Sequence, residues 1–186
     1  MFVGRDTLGL GWGPHAHTAY YCEEIIDWLK QPKGKGGRFF SRSPFWRVIG
    51  RALARFRSDA YNVEIFRDFF WSDLYRINFR SEAGTSSDLR AAQFGPCAKL
   101  MLAEMDDLKP SVTVFLTGTY ESGKGVDPFL ALWKREGKLA AHDSRSGEFV
   151  LTGEKGEQHR CLVVPHPQGK SEAPIVQRIV DFMQKG

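Results

Sequence analysis

The run Val112-Thr113-Val114-Phe115-Leu116 is short, continuous and rich in β-branched and apolar residues, which is the pattern of a buried strand. Residues 87–108 before it have a helical pattern with a break predicted near Gly95-Pro96, and Lys109-Pro110 ends that helix. After the run, Asp127-Pro128 opens another helix. A buried strand between two helices is typical of parallel strands joined by crossover helices. The sequence therefore predicts an α/β fold.

Further strands and helices are predicted on both sides of this segment. Strands are expected at residues 1–3, 70–77 and 161–164, and residues 138–141 and 148–151 have the pattern of a hairpin. Helices are expected at residues 18–29, after Ser43-Pro44 and after Ser171, where the serines are the predicted caps. The last helix has one apolar stripe, which consists of Ile175, Val176, Ile179, Val180 and Met183.

Length and composition limit the number of domains and the classes of partner. The 186 residues suffice for one domain with a core. The net charge of +4 and the pI of about 9.0 favour binding to phosphates but do not require it. Cys22, Cys97 and Cys161 lack the spacing of a disulfide framework or a thiolate cluster, so a reduced, cytoplasmic protein is the simpler interpretation. No apolar run approaches the roughly 18 residues of a membrane span, and no membrane partner is predicted.

Three loops are expected to meet at the carboxyl ends of the strands, where open parallel sheets bind their ligands. These loops are residues 4–13, 118–125 and 165–170. The first contains Asp6 and the last contains His166, so a carboxylate and an imidazole from distant parts of the chain are predicted to face one cavity. The alternative is that Asp6 and His166 each serve only a turn.

Three motifs resemble those of the uracil-DNA glycosylase superfamily. Gly4-Arg5-Asp6 resembles the start of its water-activating motif, and His166-Pro167 resembles the start of its HPSP motif. Residues 114–118, followed by Lys124-Gly125, are similar to its third-strand segment. The order of the motifs and the helix after the last one also agree. The resemblance implies a three-layer α/β/α sandwich around a central, mostly parallel four-stranded sheet, in a single domain over residues 1–186.

The resemblance also implies an activity, which is removal of uracil or another altered base from DNA by base flipping and hydrolysis of the N-glycosidic bond. Asp6 would orient the attacking water and stabilise the sugar cation, and a neutral His166 would hydrogen-bond the departing base. No cofactor is implied. The other implied substrate-binding residues are Gly4, Arg5, Trp12 or Tyr20, Asp73 and Gly118, and the implied DNA-binding residues are Lys124, Pro167, Gln168, Gly169 and Lys170. The arginine face of the helix after Ser43 is a further candidate for binding phosphates.

Two departures from the family pattern affect which base is read. Thr7-Leu8-Gly9 replaces the family's Pro-Tyr-His, which removes the tyrosine that blocks thymine. Ser72-Asp73 occurs where the family has an asparagine at the end of the second strand, and an ionised carboxylate only accepts hydrogen bonds. A base other than uracil is therefore an open alternative. The three cysteines exclude the iron–sulfur branch, which needs four.

Other functions compete with the enzyme. The chain could be a non-catalytic nucleic-acid-binding or interaction module on the same fold. Residues 118–124 also match the GxxxxGK half of a P-loop, but position 125 is Gly and the next helix begins too late to cradle a phosphate. His15, His17 and Cys22 lack a further ligand cluster, so no metal site is predicted. DNA is the predicted partner, and the oligomeric state is left open.

Overall fold

The computed structural model describes residues 1–6, 43–61, 65, 69–76, 86–118 and 126–185. Within these ranges the chain forms four α-helices and six β-strands. In chain order they are β1 (Phe2–Asp6), α1 (Pro44–Arg57), β2 (Trp71–Tyr75), α2 (Ser87–Leu108), β3 (Thr113–Phe115), α3 (Asp127–Arg135), β4 (Leu139–Asp143), β5 (Glu148–Thr152), β6 (Gln158–Val163) and α4 (Glu172–Gln184). They divide into two compact units. The sheet unit contains the six strands with α2 and α3, and the helix pair contains α1, α4 and the residues from His166 onward.

The six strands form one mixed sheet in the order β2-β1-β3-β6-β5-β4. Strands β2, β1, β3 and β6 are parallel to one another. Strand β5 is antiparallel to β6, and β4 is antiparallel to β5. The predicted α/β class and mostly parallel sheet are confirmed. The predicted count of four strands is wrong, because the β4–β5 hairpin extends the sheet by pairing along β6.

The core of the sheet unit lies between the sheet and the helices α2 and α3. Phe129 of α3 is at its centre, with ring centroids 5.3 Å from Tyr75 and 4.8 Å from Phe94. The buried indole of Trp133 packs beside Phe115 and donates from Nε1 to the Ala98 carbonyl at 3.3 Å. The apolar faces of α2 and α3 are thus buried in the same core. Each buried ring stabilises it by removing a large apolar surface from water.

Helix α2 continues through Gly95-Pro96, so the predicted break is wrong. Proline supplies no N–H, and its ring also crowds the Cβ of the residue before it. Gly95 has no Cβ, which removes part of that crowding, and Pro96 is exposed. The buried residues that follow hold the helix against the sheet: Cys97, Ala98, Met101, Leu102 and Met105. The helix ends at Lys109-Pro110 as predicted, with Lys109 in the left-handed region at φ +45°.

In the helix pair, α1 packs against α4. Ser43 and Ser171 precede the two helices as predicted, but neither side chain makes a capping hydrogen bond. Four members of the predicted stripe of α4 are buried, namely Ile175, Val176, Ile179 and Val180. The fifth buried position is Phe182, while Met183 is only half-buried. Phe182 lies three residues after Ile179 and seven after Ile175, so it stays on the same side of the helix.

Candidate functional site

The four parallel strands of the sheet unit all end at one edge of the sheet, which we call the carboxyl edge. Strand β1 ends at Asp6, β2 at Tyr75, β3 at Phe115 and β6 at Val163. Backbone pairing continues past β3 and β6, because the Gly118 N–H donates to the Val164 carbonyl at 2.9 Å. The segments that leave β1, β3 and β6 therefore start from neighbouring positions.

The motif Gly4-Arg5-Asp6 lies within β1 rather than in the loop after it. The strand is longer than predicted because its backbone pairs with β2 as far as Asp6 and Tyr75. Gly4 is buried and lies opposite Asp73 in the register. The side chain of Asp73 is also buried, with 4 % of its surface exposed. The strand pairing therefore aligns two of the predicted site residues, Gly4 and Asp73, and places Asp6 two residues further toward the carboxyl edge.

A polar cluster that the sequence did not predict lies between β2 and α2. Arg76, which follows β2, forms a two-point contact with Glu104 through Nη1 at 2.8 Å and Nη2 at 2.6 Å. The Ser72 hydroxyl donates to the same carboxylate at 2.8 Å, and the Arg76 N–H donates to Gln93 Oε1 at 2.9 Å. Gln93 and Glu104 are eleven residues apart, about three helical turns, so both lie on the face of α2 toward β2. That spacing is the one signal that could have indicated the cluster.

Gly118 begins the loop after β3, and its φ of +73° lies in the left-handed region that glycine favours. Its carbonyl accepts from the Val126 N–H at 3.2 Å, directly before α3 begins at Asp127. The start of α3 agrees with the prediction and counts against a P-loop, in which the helix begins at the lysine of the motif. Lys124 and the rest of that loop lie outside the described residues.

His166 belongs to the helix pair and lies three residues after the end of β6. The imidazole is half-buried, and its Nδ1 accepts the Gln168 N–H at 3.3 Å. The turn continues with a hydrogen bond from the Lys170 N–H to the Pro167 carbonyl at 3.2 Å. Gly169 has φ +71°, the conformation for which turns use glycine. Pro167 is buried, whereas Gln168, Gly169 and Lys170 are exposed.

Trp12, Tyr20, His15, His17 and Cys22 lie outside the described residues. Among the described residues, no group of three His, Cys, Asp or Glu side chains is arranged to bind a metal ion. Cys97 and Cys161 are buried free thiols, and burial raises the pKa of both. Neither thiol is activated as a nucleophile, since activation requires a lowered pKa.

Comparison with known proteins identifies no relative: no family model, curated protein or solved structure matches this chain. In the part of the chain that the structure describes, no helix combines the length and the apolar character needed to cross a membrane.

Proposed function

We propose that this chain is a DNA glycosylase-like hydrolase that flips uracil or another altered base out of DNA and hydrolyses its N-glycosidic bond. One observation carries the proposal: β1 and β6 are the two parallel neighbours of β3. Asp6 ends β1, and the end of β6 leads within three residues to His166. This strand order supports the placement of a ligand at the carboxyl edge, the usual binding position of parallel sheets.

The reaction assigns different tasks to the two side chains. When the base–sugar bond breaks, positive charge develops on the sugar and the electron pair of the bond leaves on the base. In the proposal, the Asp6 carboxylate orients the water whose oxygen attacks C1′ and stabilises the cationic sugar. The water becomes the hydroxyl group on C1′, and the proton that it loses neutralises the departed base. His166 donates a hydrogen bond to the base oxygen on which negative charge develops.

The local contact of His166 supports its proposed role as a donor. Because Nδ1 accepts the Gln168 N–H, that nitrogen carries no proton, and a neutral imidazole has its proton on Nε2. A neutral donor also places no full positive charge beside the departing base. The proposal therefore assigns Nε2–H as the group that contacts the base.

Recognition of the base is assigned to the residues near Asp6 and to one aromatic side chain. Gly4, Arg5, Asp73 and Gly118 form the proposed base-binding group, and Trp12 or Tyr20 supplies the stacking surface. An ionised Asp73 accepts hydrogen bonds only, so it would read an N–H group of the base. Lys124 and residues 167–170 are the proposed DNA contacts, of which Gln168, Gly169 and Lys170 are exposed.

We also propose the three-layer α/β/α arrangement that accompanies this activity in the family. Its support is the burial of both faces of the sheet. Val3, Phe115 and Val163 belong to the core beside α2 and α3. Their neighbours Phe2, Val114 and Leu162 point the other way and are also buried. A reducing, cytoplasmic location is proposed as well, because the thiols of Cys97 and Cys161 are free.

The test is release of a base from defined oligonucleotides. Single- and double-stranded DNA with uracil, hypoxanthine or another altered base is incubated with the protein, and alkali then cleaves the abasic sites. We expect release to fall by roughly 10²- to 10⁴-fold in Asp6→Asn and in His166→Ala, since each removes a transition-state interaction. The matched controls are Asp59→Asn and His142→Ala, which change an exposed carboxylate and an exposed imidazole elsewhere.

The outcomes separate the enzyme from its alternatives. Activity is expected to persist in a metal chelator, because the proposed chemistry uses only side chains and water. Release that is unchanged in both Asp6→Asn and His166→Ala overturns the catalytic assignment. Binding of DNA without release of any base indicates instead a nucleic-acid-binding module.

A further inference from the structure

One face of α1 carries a row of arginines that the proposed reaction does not use. The helix contains four arginines and no acidic residue. Arg47, Arg51 and Arg55 are spaced by four residues, so they lie on one face at intervals of about 6 Å along the axis. The apolar residues between them are buried: Val48, Ile49, Ala52 and Leu53. We call the three side chains the arginine ridge.

Glu172 in the first turn of α4 holds two members of the ridge. Both Nε and Nη2 of Arg47 donate to Glu172 Oε1, the former at 2.9 Å, and Nη1 of Arg51 donates to Oε2 at 2.7 Å. The hydrogen bond with Glu172 raises the pKa of Arg47. One carboxylate thus serves two guanidinium groups, so the group keeps a net positive charge. Its cations are also held in place before any ligand binds.

The rest of the ridge is open to solvent. The side chain of Arg51 is 50 % exposed despite its contact with Glu172. Arg55 is exposed as well. A row of exposed cations at regular spacing suits a chain of anions better than a single anion.

An aromatic side chain follows the turn that ends α1. Ser58 has φ +57°, and the Asp59 N–H bonds back to the Ala54 carbonyl at 2.8 Å, as in a Schellman motif. This turn leads to Tyr61, which is 41 % exposed. Burial raises the pKa of the Tyr61 hydroxyl, while the charges of Arg51 and Arg47 counteract the rise. Tyr61 is therefore within electrostatic reach of the ridge.

We propose that the arginine ridge and Tyr61 bind single-stranded nucleic acid, with Arg51 and Arg55 on successive phosphates and Tyr61 stacked on a base. Cations that follow the backbone beside an aromatic ring are the usual means of binding a single strand. This inference rests on the proposed function, because it specifies that the DNA is bound as a single strand. A bilayer would need a broad exposed apolar face, and Phe56 is the one large apolar side chain of α1 that is well exposed.

The test measures binding and does not depend on base release. An unmodified, fluorescently labelled oligothymidine of about 20 nucleotides is titrated with the protein at several salt concentrations, and anisotropy reports the affinity. In Arg51→Ala/Arg55→Ala we expect at least about a tenfold loss of affinity and a salt slope lower by about 1.4, which corresponds to two lost phosphate contacts. The control Lys99→Ala/Arg145→Ala removes two exposed cations of the sheet unit and should leave both values unchanged.

Tyr61 and Arg55 give separate readouts. Tyr61→Ala should weaken binding by roughly tenfold at an unchanged salt slope, and Tyr61→Trp should restore it, because stacking does not release counterions. Arg55→Ala alone lowers the slope by about 0.7 and avoids the loss of the Arg51–Glu172 contact, so it keeps the test decisive if the double variant does not fold.

Equal binding by the ridge variant and its control overturns the proposal. Binding to phosphatidylserine vesicles but not to the oligonucleotide, when lost in the ridge variant, assigns the ridge to membranes and also overturns it. If the wild type binds through the ridge but releases no base, the ridge proposal stands and the proposed hydrolase fails.

Discussion

At the scale of single residues, Asp106 of α2 is buried against the turn between β5 and β6. Its Oδ1 lies 2.8 Å from Nε2 of His159, and its Oδ2 accepts the Lys155 N–H at 2.8 Å. A buried carboxylate is tolerated only when such hydrogen bonds replace water. Gly153 passes so close that a Cβ on it would lie 1.8 Å from Oδ1. Asp106 therefore joins α2 to the β5–β6 turn at a point where no larger residue than glycine fits.

Gly153→Ala is expected to lower the free energy of unfolding by about 2 kcal/mol or more, since the added methyl group meets a carboxylate that cannot move aside. The measurement is urea unfolding followed by circular dichroism. A double-mutant cycle supplies the control, because Gly153→Ala should cost much less in an Asp106→Ala background. Equal costs in the two backgrounds would show that the contact with Asp106 is not the cause.

At the scale of the elements, α2 shows how packing overrides a local signal. A proline in a helix leaves the carbonyl four residues earlier, here that of Ala92, without its N–H donor. The helix persists because its buried face provides more free energy than the missing bond costs. The glycine before the proline contributes, since it removes the Cβ that the proline ring would crowd.

Pro96→Ala is expected to stabilise the protein by about 1 to 2 kcal/mol, because the restored hydrogen bond outweighs the greater entropy of the unfolded chain. Pro44→Ala is the matched control: Pro44 begins α1, where no backbone donor is needed, so a smaller change is expected. Both are measured by urea unfolding. A loss of stability in Pro96→Ala would mean that the proline fits a bend that the sheet unit requires.

Each of the two compact units contains a carboxylate whose contacts are partly or fully buried. Arg47, Arg51 and Glu172 link the two helices of the helix pair. Asp106 and His159 link α2 to β6 in the sheet unit, and their side chains are almost completely buried. The buried pair contributes more to pH dependence than the exposed ones, because water and salt screen charges at the surface.

Acid is expected to destabilise the sheet unit through Asp106. Burial alone would raise the pKa of this carboxyl group, but the bonds from His159 and from the Lys155 and Glu154 N–H groups lower it below the ordinary value. A carboxyl pKa that is lower in the folded state stabilises the protein above the unfolded pKa, and this contribution is lost as the pH falls through the folded value. Stability should therefore decline below about pH 4.

Asp106→Asn should remove this part of the pH dependence, as measured by hydrogen exchange of the β6 amides between neutral pH and about pH 3. The neighbouring Asp107→Asn is the control, because Asp107 is exposed and pairs with Lys155 at the surface. Parallel acid profiles for the wild type and Asp106→Asn would contradict the assignment to this group.

Predictions from local pattern agree with the structure where residues close in the chain decide the outcome. The runs around Val114 and Leu162 indicate strands, and the helix starts at Pro44 and Asp127 are visible from proline and its neighbours. The ends of the strands, and the continuation of a helix past a proline, differ from the predictions because tertiary contacts decide them. Pairing with β2 extends β1 to Asp6, and the packing of α2 carries the helix past Pro96. The Arg76–Glu104 contact was not predicted, because it joins residues 28 positions apart in the chain.

By itself, the sequence determined the type of most described elements and the α/β class, because hydrophobic periodicity and turn residues act over a few neighbouring positions. Only the tertiary structure decided that the hairpin joins the sheet as its fifth and sixth strands, and that Glu172 binds two arginines of α1. The Glu172 contacts join residues 125 and 121 positions apart in the chain, for which local spacing carries no information. The hairpin joins the sheet because β5 pairs with β6, and β6 in turn pairs with the distant strand β3. Such contacts form when distant segments bury apolar surface together.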